Sequence, residues 1–249
     1  RVPLIGVFPL SPSLDSVGPI TRSVACCARF DAVLSGEPPR ELLARPLAGL
    51  RLGALTTVVL DDLEPMVAAA YDRALGRLRA AAATVTDLAI PALAGIPDLF
   101  KNGGISIYEA YRFHRPMLDR AQAEYDPIVS QRLRVGSVIT ESEYQELLRG
   151  RAAMIQAANA ITRSFDAVLM PTCPMLAPSI ASVQDMERWQ AVHRRLLYPN
   201  AVANVLDRCA LTLPLQPAGE PPVGLTSMGE TMADHALFDV AAAIEQGLA

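Results

Sequence analysis

Lysine is almost absent from these 249 residues: Lys101 stands alone among 22 basic side chains, and the others are arginine. Aromatic residues are scarce at 5%, charged residues make up 19%, and the formal net charge is −4. A mildly acidic chain offers no electrostatic footprint for nucleic acid. No stretch approaches the roughly 18 uninterrupted apolar residues of a membrane-spanning helix. The signature of disorder, low hydrophobicity with high net charge, is missing too, since 51% of the residues are hydrophobic. Cys26, Cys27, Cys173 and Cys209 form no C-x-x-C pair, and His114, His193 and His235 lie far apart. No metal-ligand spacing results, and no metal is expected. The adjacent Cys26 and Cys27 read as a reduced, buried thiol pair on a helix, and a reducing cytoplasm is the expected compartment. G-x-S-x-G, G-x-G-x-x-G, the P-loop and H-E-x-x-H are all absent.

What is present alternates between the two main periodicities. Residues 20–34 suit a helix, 50–60 a strand, and 84–90 a second strand. Between the strands, Val67, Tyr71, Leu75 and Leu78 recur at helical spacing behind Asp61-Asp62, which are placed as the N-cap, with Glu64 and Pro65 in the first turn. This β-α-β order points to an α/β layer architecture. A helix begins near Ile105 after Gly103-Gly104, and Pro116 is expected to kink or break it. The clearest helix spans 140–165: Thr140 and Glu143 match a capping box, and Tyr144, Leu147, Leu148, Ile155, Ile161 and Phe165 form its inner stripe. Residues 167–170 are wholly apolar, as in a strand buried on both faces, and Pro171 ends it. A helix over 184–197, strands over 210–214 and 223–227, and a final helix over 234–246 complete one α/β body, residues 1–249, with no repeat or linker.

Residues able to carry chemistry are few. The carboxylate pairs Asp61-Asp62 and Glu141/Glu143 sit where helix starts favour negative charge, which makes them caps. Lys101 lies in a loop-like Phe-Lys-Asn-Gly-Gly setting with no serine presented to it, a poor site for a Ser–Lys pair. His114 follows Glu109 by five residues, off the same helix face, and a hydrogen-bonded structural histidine is the better reading than an acid–base catalyst. Taken alone, these residues describe an α/β domain without a complete active site.

The opening run adds more. Arg1-Val2-Pro3-Leu4, followed by Pro9-Leu10-Ser11-Pro12-Ser13-Leu14-Asp15-Ser16-Val17-Gly18-Pro19 and Thr21-Arg22-Ser23-Val24-Ala25, closely resembles the amidase signature hydrolases. Glu109-Ala110-Tyr111 through His114-Arg115 resembles that family's E-A-Y-x-x-H-R helix, and Tyr125-Asp126-Pro127 to Gly136 its Y-D-P-x-x-x-x-R-x-x-x-G. Phe165-Asp166-Ala167-Val168-Leu169-Met170-Pro171-Thr172-Cys173-Pro174 is similar to its F-D-x-L-L-x-P-T-x-P strand exit, and 204–225 to its usual ending. The chain departs from the family at Cys26, where Asp is usual, and near Tyr198-Pro199-Asn200, where R-N-T is more frequent; both bear on the substrate.

The resemblance implies a mixed central sheet flanked by helices, present as the C-terminal part of one amidase signature domain. It implies amide hydrolysis by a Ser–Ser–Lys triad whose members all lie in Gly/Ser-rich motifs upstream of the R-V-P-L segment, so no catalytic residue falls on this chain. Ser13 and Asp15 match a segment that passes near the nucleophile. Asp15 would either accept backbone N–H bonds that hold the serine loop or simply cap a turn. Tyr108, Thr172, Cys173 and Asn204 are the pocket candidates, Thr172 and Cys173 because ligands of α/β proteins gather where strands end. No metal or organic cofactor is implied. The partners implied are a small-molecule amide, the N-terminal amidase segment and a second copy in a homodimer, with no nucleic acid or membrane. Two other readings stand beside this one: the amidase subunit of a glutamine-dependent amidotransferase complex, and a catalytically inactive binding fragment or pseudoenzyme.

Overall fold

Five strands build one mixed sheet, and the computed structural model describes residues 1–43, 45–216 and 219–249 of the chain around it. After an irregular N-terminal segment come α1 (Val24–Ser35), β1 (Arg51–Leu55), α2 (Pro65–Ala80) and β2 (Thr84–Leu88). Then follow α3 (Ile96–Leu99), α4 (Gly104–Ala121), α5 (Pro127–Val135) and α6 (Glu141–Thr162). The chain returns through β3 (Ala167–Pro171), α7 (Met186–Val205), β4 (Ala210–Pro214), β5 (Gly224–Met228) and α8 (Asp234–Leu248). The strand order is β2-β1-β3-β5-β4, with β2, β1 and β3 parallel and β5 antiparallel to both β3 and β4.

Helices cover both faces, and the central strand shows why it had to be apolar throughout. On β3, Ala167 and Leu169 pack with α1, α2 and α8, through residues such as Leu75, Leu78, Phe238 and Ile244. Val168 and Met170 point the other way, into Met154 and Ala158 of α6 and Val202 and Val205 of α7. All five β3 residues are buried, as a strand sandwiched between two helical layers requires. A satellite cluster of Ala110, Leu118 and Leu133 joins α4 to α5 away from the sheet.

Several elements differ from their sequence expectation for local reasons. Residues 20–22 stay outside α1: Ile20 is fully exposed, and the Ser23 side chain caps the helix by accepting the Cys26 N–H. Cys26 is exposed and Cys27 half-buried, so the two are not a buried pair. Strand β1 stops at Leu55 because Thr56 and Thr57 turn back to bond Leu88 and Ile90, and Val58 takes a φ of 70°. The N-cap of α2 is Glu64, not Asp61-Asp62; those two lie in the preceding turn, and Asp62 instead pairs with Arg195 at 2.7 Å. Pro116 neither breaks α4 nor ends it, because it lies on the exposed side where water can replace the missing backbone bond. Helix α7 runs on beyond residue 197 to Val205 through the buried Pro199, and α5, begun by the Asp126 cap, has no sequence expectation at all.

Candidate active-site wall

The first feature is a tight turn at 11–15. The Ser11 carbonyl accepts the Leu14 and Asp15 N–H groups at 2.8 and 2.7 Å. Asp15 Oδ2 accepts the Leu10 and Ser11 N–H groups at 2.9 and 3.0 Å. Asp15 therefore bonds the backbone of its own turn, as a short acidic side chain does wherever local N–H groups converge.

Three helices hold that turn from outside. Glu109 of α4 accepts the Ser11 hydroxyl at 2.6 Å, the Ser13 N–H at 3.0 Å and the Ser13 hydroxyl. Its other neighbour is Tyr144 of α6, which donates its phenol at 2.6 Å. Arg151, seven residues further along α6 and so on the same side, donates to the Ser13 carbonyl at 3.4 Å and to the Val205 and Asn204 carbonyls at 2.9 and 3.1 Å. From α7, Asn204 donates to the Leu14 carbonyl at 2.6 Å. Burial pushes the Glu109 carboxyl up, but hydrogen bonds from Ser11, Ser13 and Tyr144 together outweigh it and hold the group below the ordinary carboxylate range.

Local sequence explains how α4 and α6 come to face each other. The capping box is present in full, Thr140 accepting the Glu143 N–H while Glu143 accepts the Thr140 N–H, and it starts α6 one residue before Glu141. The start of α4 depends on Gly104, whose φ is +65° and whose Cα approaches the Leu99 carbonyl so closely that a Cβ would sit 2.0 Å from it. Tyr108 of α4 stacks on Tyr144 and donates its phenol to Glu141 at 2.6 Å. Burial, then the Glu141 carboxylate, raises the Tyr108 phenol above its ordinary value.

A second group of polar side chains gathers where β3 ends. The hydroxyls of Thr172 and Thr226 lie 2.9 Å apart, and Thr212 is within 3.4 Å of Thr172 and 3.2 Å of Thr226. Gly224 makes room for them, since a Cβ there would meet Thr172 Oγ1 at 2.6 Å. Cys173 Sγ donates to Asn200 of α7 at 3.7 Å. The segment beyond is tied down by Glu64, whose N–H donates to the Pro174 carbonyl and whose carboxylate accepts the Leu176 N–H and faces Arg195.

Of the residues singled out from sequence, Ser13, Asp15, Tyr108 and Asn204 thus share one neighbourhood, linked through Glu109, Tyr144 and Arg151. Thr172 and Cys173 stand at the strand end. Helix α7 connects the two, because Asn200 and Asn204 lie one turn apart on one face, about 6 Å along the axis. The linking residues were missed. In the sequence Glu109 stands out only beside His114 and in the E-A-Y run, and Tyr144 only in the apolar stripe of a helix. His114 is buried with Nδ1 2.9 Å from the Tyr125 phenol, a structural contact.

Chemically, the neighbourhood binds and orients; it holds no activated nucleophile. The Ser11 and Ser13 hydroxyls are committed to a carboxylate, and among the described residues no serine is bonded to Lys101, which is exposed at the turn before α4. No group of three His, Cys, Asp or Glu side chains is placed to hold a metal ion among the described residues, and no described helix is long and apolar enough to cross a membrane. A groove of about 900 Å³ runs beside β4, one of the two edge strands, lined by Thr21, Arg22, Cys27, Leu211, Leu213 and Phe238 among others.

Comparison with known proteins places this geometry. The sequence model of the family described as Amidase matches residues 1–238. A 2-amino-5-chloromuconic acid deaminase of Comamonas testosteroni is 32% identical over 251 residues, covering 98% of this chain and 54% of that protein. An indoleacetamide hydrolase of Agrobacterium vitis is 29% identical over 273 residues, covering all of this chain and 57% of its own. Among solved structures, a crystal structure described as an amidase superposes with a TM-score of 0.84 at 27% identity, covering 99% of this chain and 56% of that one. The chain spans little more than half the length of the curated relatives it matches.

Proposed function

The chain belongs to the amidase signature family, and on that footing we propose that residues 1–249 form the C-terminal portion of a single amidase domain. The whole domain hydrolyses the C–N bond of a small carboxamide. A serine outside these residues attacks the carbonyl carbon, and backbone N–H groups hold the oxyanion. The C–N bond then breaks, the leaving amine takes its proton from the relay serine of the Ser–Ser–Lys triad, and water cleaves the acyl ester. No metal or organic cofactor enters this chemistry.

Coverage is the observation that carries the reading. The family and its relatives match this chain almost from end to end, yet it reaches only 54% of the length of the deaminase and 57% of that of the hydrolase. The open β4 edge and the groove beside it offer the surface on which an N-terminal portion would lie. In this role Ser13 and Asp15 support the wall nearest the nucleophile, and Tyr108, Thr172, Cys173 and Asn204 line the substrate side.

The test is ammonia release from a panel of primary carboxamides, by the complete translated chain and by residues 1–249 alone, with hydroxylamine added to trap an acyl-enzyme as the hydroxamate. Turnover and hydroxamate from the complete chain, with none from residues 1–249, are expected. Turnover by residues 1–249 alone would overturn the assignment of the triad. Ammonia released only with a second protein present would favour the amidotransferase subunit, and no release under any condition the inactive fragment.

A further inference from the structure

The 1–20 segment inverts the usual order of burial. Ile5, Phe8 and Leu10 are 97%, 71% and 53% exposed, whereas Ser11 is 1% exposed. Apolar packing therefore does not decide where this segment lies. Polar anchors do: Arg1 pairs with Asp31, Glu37 and Asp234 at one end, and at the 11–15 turn one carboxylate stands apart. Both oxygens of Glu109 are engaged: Oε2 by the Ser11 hydroxyl and the Ser13 N–H, Oε1 by the Ser13 hydroxyl and the Tyr144 phenol. The remaining outside contacts on the turn, Arg151 to the Ser13 carbonyl and Asn204 to the Leu14 carbonyl, each reach a single backbone oxygen.

We propose that Glu109 is a positioning residue, which sets the place of the 11–15 turn and through it the wall of the substrate site between α4, α7 and the end of β3. The inference rests on the amidase reading above and deepens it. The chemistry is specific to a carboxylate. All four neighbours donate, and an ionised carboxylate is acceptor-only. Three of the four are hydroxyls, which can turn to accept from the NH₂ of an amide, but the Ser13 N–H can only donate, and a glutamine offers it a neutral oxygen at best. The connection to the site is equally direct. Asn204, which bonds the turn, lies one helical turn beyond Asn200, which bonds Cys173 at the strand exit.

Glu109→Gln in the complete chain tests this, with hydrogen exchange and amidase kinetics measured on the same preparation. The Ser13 amide should exchange several-fold faster, because its hydrogen bond to a charged oxygen becomes one to a neutral oxygen at best. The α4 and α6 backbone amides away from residue 109 should keep their wild-type rates. In the kinetics kcat should fall at least as far as kcat/KM, with partial recovery in Glu109→Asp, which restores the charge on a shorter arm. Ser13→Ala is the second variant: it removes one donor and leaves α4 and α6 untouched, and should loosen 11–15 in the same direction. Unchanged exchange at Ser13 in a folded Glu109→Gln protein overturns the proposal. So does a loosened turn with unaltered kcat. Should the wild type release ammonia from no carboxamide, the amidase reading fails, while faster exchange at Ser13 still supports Glu109 as the anchor of the turn.

Discussion

Tyr108 and Tyr144 stack with ring centroids 4.2 Å apart and planes 19° from parallel, and each phenol reaches across to a glutamate on the other's helix. Tyr108 of α4 donates to Glu141 of α6, and Tyr144 of α6 donates to Glu109 of α4. The two bonds are not equal, because the Glu141 side chain is 61% exposed whereas Glu109 is half-buried. Tyr144→Phe keeps the stack and removes a donor to a partly buried carboxylate, and should cost about 1.5 kcal/mol. Tyr108→Phe removes the wetter bond and should cost less than about 1 kcal/mol. Urea denaturation midpoints at constant m-value measure the difference.

Arg208 illustrates a burial asymmetry at the other end of α6. Its side chain is 1% exposed and meets Glu230 at 2.6 Å, Asn159 at 2.5 Å and Thr162 at 2.8 Å, while Glu230 is 46% exposed. Removing the carboxylate leaves a cation in the interior, whereas removing the cation leaves a carboxylate that water can reach. Glu230→Gln is therefore expected to cost about 3 kcal/mol and Arg208→Met about half as much. Equal costs for the two variants would show that the pair is not divided in this way.

Glycine substitutions should separate close approach from helix propensity. A Cβ at Gly136 would lie 2.4 Å from the Ile107 carbonyl and 2.7 Å from Tyr111 Cβ, so Gly136→Ala must push α4 away, at about 2 kcal/mol. Gly76, exposed within α2, has nothing within 4 Å of the same position. There Ala is the better helix former, and Gly76→Ala should stabilise by about 0.5–1 kcal/mol. Thermal melts of both variants give the two signs.

Acid should loosen the 11–15 turn before it unfolds the sheet. The folded Glu109 carboxyl is held below its ordinary value, so its contribution is complete above the unfolded carboxylate value of about 4.3 and is lost as pH falls through the folded one. Glu141 and Glu143 are lowered as well, Glu141 by the Tyr108 hydrogen bond and Glu143 by the backbone and hydroxyl of Thr140, so they share the acid limb. The protection of the Ser13 amide, its exchange rate compared with the intrinsic rate at the same pH, should fall on acidification in the wild type. In Glu109→Gln that pH dependence should be reduced. An identical acid limb in both proteins would assign it to the other carboxylates.

Local sequence carried whatever its own neighbours could complete. Thr140 and Glu143 stand three residues apart and cap α6 as read, and the apolar run of β3 announced a strand covered on both faces. The β-α-β order and the family resemblance led to the mixed sheet for the same reason: they depend on pattern and order along the chain. Pro116 runs against its sequence expectation because exposure governs a proline's cost: it lies on the wet side of α4, which continues past it. Asp62 reads as a cap in the sequence because its partner Arg195 lies far along the chain.

Tertiary structure alone decided the polar architecture. Glu109 meets Ser13 across 96 residues and Asn204 meets Leu14 across 190. Hydrogen bonds of that kind leave no periodicity, since a single carboxylate on a helix reads the same whether it faces water or four converging donors. The sequence determined the layers and the family; which side chains converge on the 11–15 turn was settled only when α4, α6 and α7 packed beside one another.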